Sequence, residues 1–393
     1  MAHPRGAGKA WKHATLDGKG PPNVTRGVRV LHVVAGGDIG GAERLLVDLA
    51  LRPEQTGAEH EVALFTPNPA LAPFFAQAGV AVHDRGRVRE DPLAYLRRSI
   101  GRADVAWLAG RIVDRRADVV HTHTFGSHVL GTRAALRTGR PQLRTEHHVM
   151  HYFDASSSPF TRWAAARTER FVAVSRYVQG VLARTAPRVA AKTTVVRNGV
   201  DPSRFAPRGP EAASSLPPAS GRFRAGIVCR LTGWKRVHLA IEAAAIAGVE
   251  LLVVGDGEER HKLEALARRT EAAVTFLGHQ SDPRPFVAAC DAILSTAADE
   301  PLGLSVLEAL SMERPVIALE GGGLPEIIEH GRTGFLVREP TAAALASTLS
   351  RARADPAKLR AMGARGRRFV LDEASIERTC EGYAAVYRAM SPR

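Results

Sequence analysis

The chain has 393 residues, of which 45% are hydrophobic and 24% charged, so it can form full-sized cores and is neither a disordered tail nor a small disulfide-stapled scaffold. Its length suggests two or three domains. The net charge of +14 is uneven, because residues 28–205 hold 25 basic and 16 acidic side chains whereas residues 206–350 hold 14 and 18. This distribution argues against nucleic acid as a partner. The basic excess of the front half could serve an anionic partner, or it could reflect only a general preference for Arg in the composition.

The N-terminal segment and the cysteines bear on where the protein works. Residues 1–27 are basic and lack an apolar stretch, which predicts a disordered arm rather than a signal peptide. The sequence has no run approaching the roughly 18 apolar residues that a membrane-spanning helix needs. Cys229, Cys290 and Cys380 are odd in number and far apart. This usage fits a reducing compartment, so we expect a cytoplasmic protein.

From residue 28 onward, short runs rich in β-branched residues alternate with amphipathic helical patterns such as residues 41–51 and 92–113. Runs that are apolar on both faces and are separated by helices predict a parallel sheet covered on both sides. The predicted strands of this first series are residues 28–35, 60–65, 118–123, 142–147, 171–174 and 193–198.

Residues 206–221 contain four prolines and no periodicity, and they are predicted to form a linker. A second alternating series follows, and helical patterns around residues 341–353 and 373–389 close the chain. Two open α/β domains with a cleft between them, residues 28–205 and 222–370, are the simplest architecture. The predicted strands of the second series are residues 224–229, 250–255, 273–278, 291–296, 314–319 and 334–337.

The segment after the first predicted strand is rich in glycine. In such sheets ligands bind at the carboxyl ends of the strands, so chemistry is expected there. Residues 36–43 fail the G-x-G-x-x-G pattern in every register, which argues against hydride transfer with a dinucleotide. Gly40 and Gly41 nevertheless let backbone N–H groups at a helix start approach an anion or a sugar, although a plain tight turn would explain them as well.

Two cations, Arg230 and Lys235, follow the first strand of the second series around a Gly-containing turn. A guanidinium fork and an ammonium point charge at this place suit a diphosphate. Ordinary solvated loop cations are the alternative.

The strongest local signal is the pair Glu300 and Glu308, which follows the predicted strand 291–296. Gly303 marks a helix start, and Glu308 lies on or beside the apolar stripe, where a carboxylate needs hydroxyl or cationic partners. The spacing suits one acid at each end of a nucleoside diphosphate sugar, with the N–H groups of Gly303 and Leu304 facing the phosphates. Two unrelated helix glutamates are the alternative.

Five histidines cluster in the sequence after two neighbouring predicted strands. A zinc site is one interpretation, but no Cys, Asp or Glu shares a ligand spacing with them, so no metal is expected. Sugar contacts or a polar rim are the other interpretations. These histidines are His121, His123, His147, His148 and His151.

In this order and spacing, the motifs resemble the family 4 glycosyltransferases over residues 28–390. The resemblance implies the GT-B fold, in which two Rossmann-like, doubly wound parallel-sheet domains face a central cleft and a C-terminal helix, here within residues 371–393, packs back on the first domain. Besides the motifs above, it rests on Asn198-Gly199-Val200-Asp201 with Phe205, Gly255-Asp256-Gly257, and Gly322-Gly323-x-Pro325-Glu326 with Gly331 and Gly334.

The resemblance implies an enzyme that moves a sugar, with retention, from a UDP- or GDP-sugar donor to a glycan, lipid-linked or small-molecule acceptor. No cofactor and no metal are implied. The front domain takes the acceptor and residues 222–370 bind the donor. A nucleotide-sugar epimerase of the same fold and a non-catalytic nucleotide-sugar-binding protein are the alternatives, and the Glu300 and Glu308 pair argues against the epimerase.

The resemblance also implies roles for single residues. Arg230 and Lys235 would hold the diphosphate, Glu308 would take the ribose hydroxyls, and Glu300 would contact the donor sugar. The remaining positions would surround the donor: Gly303 and Leu304 with amides toward phosphate or sugar, Gly278 and His279 near the base, His147 near the reacting sugar, and Gly40 and Gly41 closing from the other domain. In the family Lys235 is commonly followed by Gly, and this chain has Arg236 there.

Residues 85–111 combine seven arginines with interleaved Leu, Tyr, Ile and Trp. Such a basic amphipathic segment can lie on an anionic membrane surface, which would place the front domain on the inner leaflet as a peripheral protein. A helix that covers the sheet and has a solvated Arg face is the alternative.

Overall fold

The computed structural model describes residues 27–36, 39–86, 101–154, 157–208, 216, 218 and 221–391. Within them the chain forms two parallel β-sheets with helices packed around each. The predicted basic arm lies outside the described residues except for Gly27, and so do most of the predicted linker and residues 87–100 of the predicted basic segment.

The first sheet has seven strands in the order β3-β2-β1-β4-β5-β6-β7, and every neighbouring pair is parallel. Six strands lie where the apolar runs predict them. The short strand β3 was missed because it is a partly exposed edge strand without a continuous apolar run. The strands are β1 Val28–Ala35, β2 Ala58–Phe65, β3 Ala81–Asp84, β4 Val119–Thr122, β5 Gln142–Glu146, β6 Arg170–Ala173 and β7 Thr193–Val195.

Helices cover both faces of this sheet. Because successive side chains of a strand point to opposite faces, Val30 and Leu31 of β1 belong to separate buried clusters. The cluster of Val30 includes Tyr383 of the C-terminal helix, whereas the cluster of Leu31 includes Leu108. The helices of this part of the chain are α1 Gly41–Ala50, α2 Pro53–Thr56, α3 Leu71–Gln77, α4 Ala103–Asp114, α5 Phe125–Thr138, α6 Ser158–Arg167, α7 Arg176–Thr185 and α8 Pro187–Ala190.

The second sheet has six parallel strands in the order β10-β9-β8-β11-β12-β13, all at predicted positions. These strands are β8 Arg224–Val228, β9 Glu250–Val254, β10 Val274–Gly278, β11 Ala292–Ser295, β12 Val316–Leu319 and β13 Gly334–Val337. The helices that follow along the chain are α9 Val237–Ala247, α10 Arg260–Arg269, α11 Arg284–Ala288, α12 Leu304–Ser311, α13 Ala342–Ala354, α14 Pro356–Glu373 and α15 Ile376–Met390.

Each sheet reverses its strand order once. The chain first adds strands on one side of β1 or β8 and then returns to add the others on the opposite side. The crevice at such a reversal, outside the carboxyl ends of the strands, is where open α/β sheets bind ligands. In this chain the reversals lie between β1 and β4 and between β8 and β11, so the loops that follow these four strands define where the site should be.

Helix α14 was not predicted. Its first turn is marked by Pro356 and by the Asp355 side chain, which accepts a hydrogen bond from the Lys358 amide at 2.9 Å. Gly363 and Gly366 lower its intrinsic helix propensity. They are required because a Cβ atom at Gly366 would lie 2.7 Å from a Leu310 methyl group, so the glycines let α14 pack closely on α12.

The chain returns to the first domain after α14. Val200 and Ser375 form a parallel bridge, in which Ile376 donates its amide to the Val200 carbonyl at 2.9 Å. Helix α15 then buries Tyr383 and Tyr387 among side chains of the first sheet. Among the described residues, no helix combines the length and the apolar character needed to cross a membrane.

Candidate active site between the two sheets

The carboxyl ends of the two sheets face each other across a close contact. The start of α1 lies against the start of α12, since a Cβ atom at Gly41 would lie 2.8 Å from a Leu304 methyl group. The Ser175 hydroxyl, after β6, donates to the Pro301 carbonyl at 2.6 Å. The domain boundary therefore brings together two segments that are far apart in sequence, Gly40-Gly41 and Gly303-Leu304.

A glycine-rich turn holds the segment that carries Glu300. Gly323 donates its amide to the Glu300 carbonyl at 2.7 Å. Gly322 has φ of 60°, and a Cβ atom there would collide with the Glu300 backbone. Gly303, with φ of 96°, directly precedes α12. Left-handed backbone without side-chain bulk is needed at both places, so the glycines serve to position Glu300 and the start of α12.

Lys235 and Glu300 form an ion pair within the cleft. The Lys235 ammonium lies 2.5 Å from a Glu300 carboxylate oxygen, and the two side chains are only 16% and 13% exposed. The same ammonium lies 4.0 Å from the centre of the Trp234 ring, in cation–π geometry. The Thr296 hydroxyl donates to the Lys235 carbonyl at 2.7 Å, which ties the loop after β8 to the end of β11. Lys235 and Glu300, both predicted as site residues, thus lie together, and each compensates the charge of the other.

Arg230 lies on the exposed loop that connects β8 to Lys235. Leu231 donates its amide to the Asp256 carbonyl at 2.9 Å, so the loop is fixed against the glycine turn after β9. Arg236, at the position where the family commonly has Gly, adopts φ of 50°. The preference for Gly therefore has a physical reason, since this left-handed conformation is costly for a residue with a Cβ atom.

Glu308 lies about one turn beyond Leu304 in α12. It lines a cavity of about 110 Å³ that is shared by the two domains. Its side chain is buried, and the Arg44 guanidinium of α1 approaches it to 3.7 Å. Burial raises the pKa of Glu308 to about 7, although Arg44 and Arg204 oppose the shift. Asp48 faces the same cavity, and burial raises its pKa to about 6. Sequence reasoning missed Arg44, Asp48 and Arg204 because their partner Glu308 lies on the other domain, and only the folded chain brings them together.

Gly278 and His279 follow β10 beside this cleft. Gly278 has φ of 68° and accepts a hydrogen bond from the Gly255 amide at 2.8 Å, which joins two predicted motif positions. His279 is exposed. The Gly257 amide, with Arg260 and His279, lowers the pKa of the nearby Asp256 carboxyl.

His147 follows β5 directly, at the same edge of the first sheet. Its Nε2 atom lies 3.3 Å from Nδ1 of His123, and its side chain is partly exposed. The preceding residue, Glu146, is fully buried and receives two hydrogen bonds from Arg144, at 2.6 and 3.0 Å. This buried pair fixes the backbone from which His147 extends. Desolvation lowers the pKa of His147 to about 3, so the imidazole is neutral.

The structure also assembles histidines that are separated in the sequence. Ring nitrogens of His32, His121 and His123 all lie within 4.8 Å of one another, and all three side chains are buried. His32, in the middle of β1, was missed because a single histidine in an apolar strand carries no local signal.

The chain matches two known glycosyltransferase families along most of its length. Residues 39–204 match the family described as Glycosyltransferase Family 4, and residues 211–369 match the one described as Glycosyl transferases group 1. The 2-deoxystreptamine glucosyltransferase of Streptomyces kanamyceticus is 30% identical over 330 residues, which are 74% of this chain and 84% of that enzyme. The alpha-maltose-1-phosphate synthase of Mycolicibacterium smegmatis is 29% identical over 308 residues, 70% of this chain and 80% of that enzyme.

Among solved structures, Anabaena HepE in complex with UDP and glucose superposes with a TM-score of 0.79. It is 24% identical, and the match covers 92% of this chain and 100% of HepE. The fold is therefore that of the GT-B glycosyltransferases, as the sequence predicted. The chain belongs to the family 4 glycosyltransferases.

Proposed function

We propose that this glycosyltransferase moves a sugar from a UDP- or GDP-sugar to a glycan, lipid-linked or small-molecule acceptor. The observation that carries the proposal is the row formed by Lys235, Glu300, the N-terminus of α12 and Glu308 along one cleft. This row offers cations and amides for a diphosphate, and a carboxylate at each end for hydroxyl groups. The complex of HepE with UDP and glucose supports a nucleotide-sugar donor.

The donor is proposed to lie on the second domain. Arg230, Lys235 and the amides of Gly303 and Leu304 bind the diphosphate, and a positive helix end favours this charge. Glu308 accepts from the ribose hydroxyls, and Gly278 and His279 contact the base. Glu300 positions the donor sugar, while His147, Gly40 and Gly41 approach the sugar and diphosphate from the first domain.

We propose that the transfer retains the configuration of the donor sugar and needs no metal. The cations and amides stabilise the charge that develops on the departing diphosphate, which is the task a metal would otherwise perform. The acceptor then attacks from the face that the diphosphate leaves, and the leaving phosphate takes the acceptor proton. On this mechanism Glu300 is a positioning residue and not a nucleophile.

The acceptor is proposed to be reached at an anionic membrane surface on the cytoplasmic side. The support is the arginine-rich sequence of residues 85–111, most of which lies outside the described residues. Trp107, in the described part, packs edge-to-face on Phe65, so it belongs to the domain core. Sedimentation of the full chain with vesicles containing phosphatidylglycerol should show binding that salt weakens, and the absence of such binding would remove this part of the proposal.

An epimerase or a non-catalytic binder of the same fold would use the donor differently. The experiment that separates the three follows release of nucleoside diphosphate from UDP-glucose and GDP-mannose, with and without a panel of candidate acceptors. A transferase releases the diphosphate in amounts that match the glycosylated acceptor. Release that ignores the acceptor, or binding without any release, would contradict the proposal.

A further inference from the structure

A line of hydrogen-bonded imidazoles runs through the interior of the first domain and ends at His147. His60 Nδ1 lies 2.9 Å from His32 Nε2, His32 Nδ1 lies 2.8 Å from His123 Nε2, and His123 Nδ1 lies 3.3 Å from His147 Nε2. His32, His60 and His123 are all buried. They lie on three different elements, β1, β2 and the end of β4.

The far end of this line is a hydroxyl group whose orientation is fixed. Thr56 Oγ1 lies 3.0 Å from His60 Nε2 and 3.0 Å from the Arg52 carbonyl. Its remaining neighbours are the carbonyls of Pro53 and Ala58, each at 3.4 Å. Carbonyl oxygens only accept, so the Thr56 hydroxyl donates to one of them and accepts from His60.

This end fixes the polarity of the whole line. A neutral imidazole has one donor and one acceptor nitrogen, so His60, which donates from Nε2, must accept at Nδ1 from His32. By the same reasoning, His32 donates from Nε2 and accepts at Nδ1 from His123, and His123 donates from Nε2 and accepts at Nδ1 from His147. Burial keeps the imidazoles neutral, because it lowers the pKa of His60 to about 4 and holds that of His32 and His123 well below the ordinary value. His147 therefore carries its proton on Nε2, and its Nδ1 is left without one.

We infer that His32, His60 and His123 are positioning residues that hold His147 in the Nε2–H tautomer, so that its Nδ1 accepts a hydrogen bond from a hydroxyl of the substrate sugar. The tautomer follows from the hydrogen bonds alone, whereas the sugar contact rests on the proposed function. In this arrangement His147 distinguishes a hydroxyl, which can donate, from a phosphate oxygen, which can only accept. The donor sugar and not its diphosphate is the matching partner.

Two other uses of these histidines fit the geometry less well. A metal bound by His32, His121 and His123 would have to break existing hydrogen bonds, because both nitrogens of His32 are engaged by other imidazoles and those of His121 by Thr145 and Tyr387, at 2.8 and 3.0 Å. A proton-conducting line would need a group at its end that takes up a proton, and this line ends on backbone carbonyls, which do not.

The tautomers can be measured on the free protein, without any donor. Two-bond ¹H–¹⁵N correlation spectra of histidine-labelled protein distinguish Nε2–H, Nδ1–H and charged imidazoles. We expect His60, His32, His123 and His147 to be neutral Nε2–H tautomers at pH 7, with signals assigned through single His→Gln variants. An Nδ1–H or mixed tautomer at His147, or stoichiometric zinc in the purified protein, would overturn the inference.

Variants of His32 then test whether the line acts on His147. His32→Leu removes the acceptor of His123 Nε2–H, so we expect His147 to become a tautomer mixture and KM for UDP-glucose to rise about tenfold. His32→Gln keeps one donor and one acceptor and should restore both. His128→Leu is the matched control, since His128 is equally buried and hydrogen-bonded to Thr168 at 2.9 Å but is outside the line.

The His128→Leu control separates an effect on the His147 tautomer from a general loss of stability. His32→Leu loses two buried imidazole hydrogen bonds and His128→Leu loses one. We therefore expect the melting temperature to drop in both variants, further in His32→Leu, and the His147 spectrum to change only in His32→Leu. An unchanged His147 spectrum in a folded His32→Leu protein would show that the line of imidazoles does not set the tautomer of His147. A changed spectrum with unchanged KM, in an enzyme that does use UDP-glucose, would overturn its role in sugar recognition. A protein that binds no nucleotide sugar would instead refute the proposed function and leave the tautomer result standing.

Discussion

The Lys235 ammonium lies 2.5 Å from the Glu300 carboxylate, although the two residues come from different loops and are separated by 65 positions. Each charge is largely removed from water, and each compensates the other. On the proposed function, a bound diphosphate would give Lys235 a second anionic partner. Glu300 would then be less tightly held and could accept from sugar hydroxyls. The pair would thereby connect diphosphate binding to the positioning of the donor sugar.

Replacement of Lys235 by Ala should abolish most of the turnover. The transition state would lose a charge-assisted contact to the departing diphosphate, for which we expect about a 100-fold to 1,000-fold loss in kcat. Arg230→Ala should act in the same direction. Steady-state kinetics and circular dichroism check both variants, with Lys262→Ala as the control, because Lys262 is 76% exposed on α10. Near-wild-type transfer by Lys235→Ala would contradict the diphosphate assignment.

Donor binding should depend on pH through Glu308. Its pKa of about 7 means that the carboxyl is protonated in acid and can then accept less well from the ribose. The Kd for UDP-glucose should therefore fall by up to tenfold per pH unit as the pH rises toward 7, and then level off. Calorimetry on Glu308→Gln should give weaker binding without this slope.

The raised pKa of Glu308 should also make the stability of the protein depend on pH. Between the ordinary value of 4.5 and about 7, the folded protein holds a proton at Glu308 that the unfolded chain has released. The free energy of unfolding should therefore decrease as the pH rises through this range. Asp48→Asn separates the contribution of Asp48, whose pKa is about 6. If Glu308→Gln kept the full pH slope of both binding and unfolding, the buried carboxyl would not be its origin.

A side chain at Gly322 should be far more harmful than one at Gly331. Both have positive φ, 60° and 77°, but a Cβ atom would collide with the Glu300 backbone only at Gly322. Gly331→Ala should cost about 1 kcal/mol in unfolding free energy, and Gly322→Ala several times more, with loss of turnover. Equal destabilisation of the two variants in urea titrations would show that the turn does not support Glu300.

Glu326 joins the two domains. Its carboxylate accepts from the amides of Arg176 and Tyr177 at 3.0 and 2.6 Å, at the N-terminus of α7. Glu326→Ala should lose about 1 kcal/mol of stability and let the domains separate further. Small-angle scattering should report a larger radius of gyration than for Glu329→Ala, the control, whose carboxylate is exposed and paired with Arg332. An identical radius for both variants would contradict this role.

Much of the fold could be predicted because apolar strand runs identify parallel sheets directly. The misses have physical causes. Strand β3 is a half-exposed edge, and the glycines that let α14 pack closely also weaken its helical signal. Likewise, Lys235, Glu300 and Glu308 stand out in sequence because each follows a strand or faces an apolar stripe. Arg44 and His32 do not, because their partners come from other elements and only the folded chain brings them together.

On the proposed function, a nucleotide sugar binds between the domains with its diphosphate at Lys235. Native mass spectrometry of the wild-type protein and of Lys235→Ala, each mixed with a panel of UDP- and GDP-sugars, measures this binding. We expect the wild type to retain one class of nucleotide sugar and the variant to lose it. Failure of the wild type to bind any of them, or equal binding by the variant, would contradict this expectation.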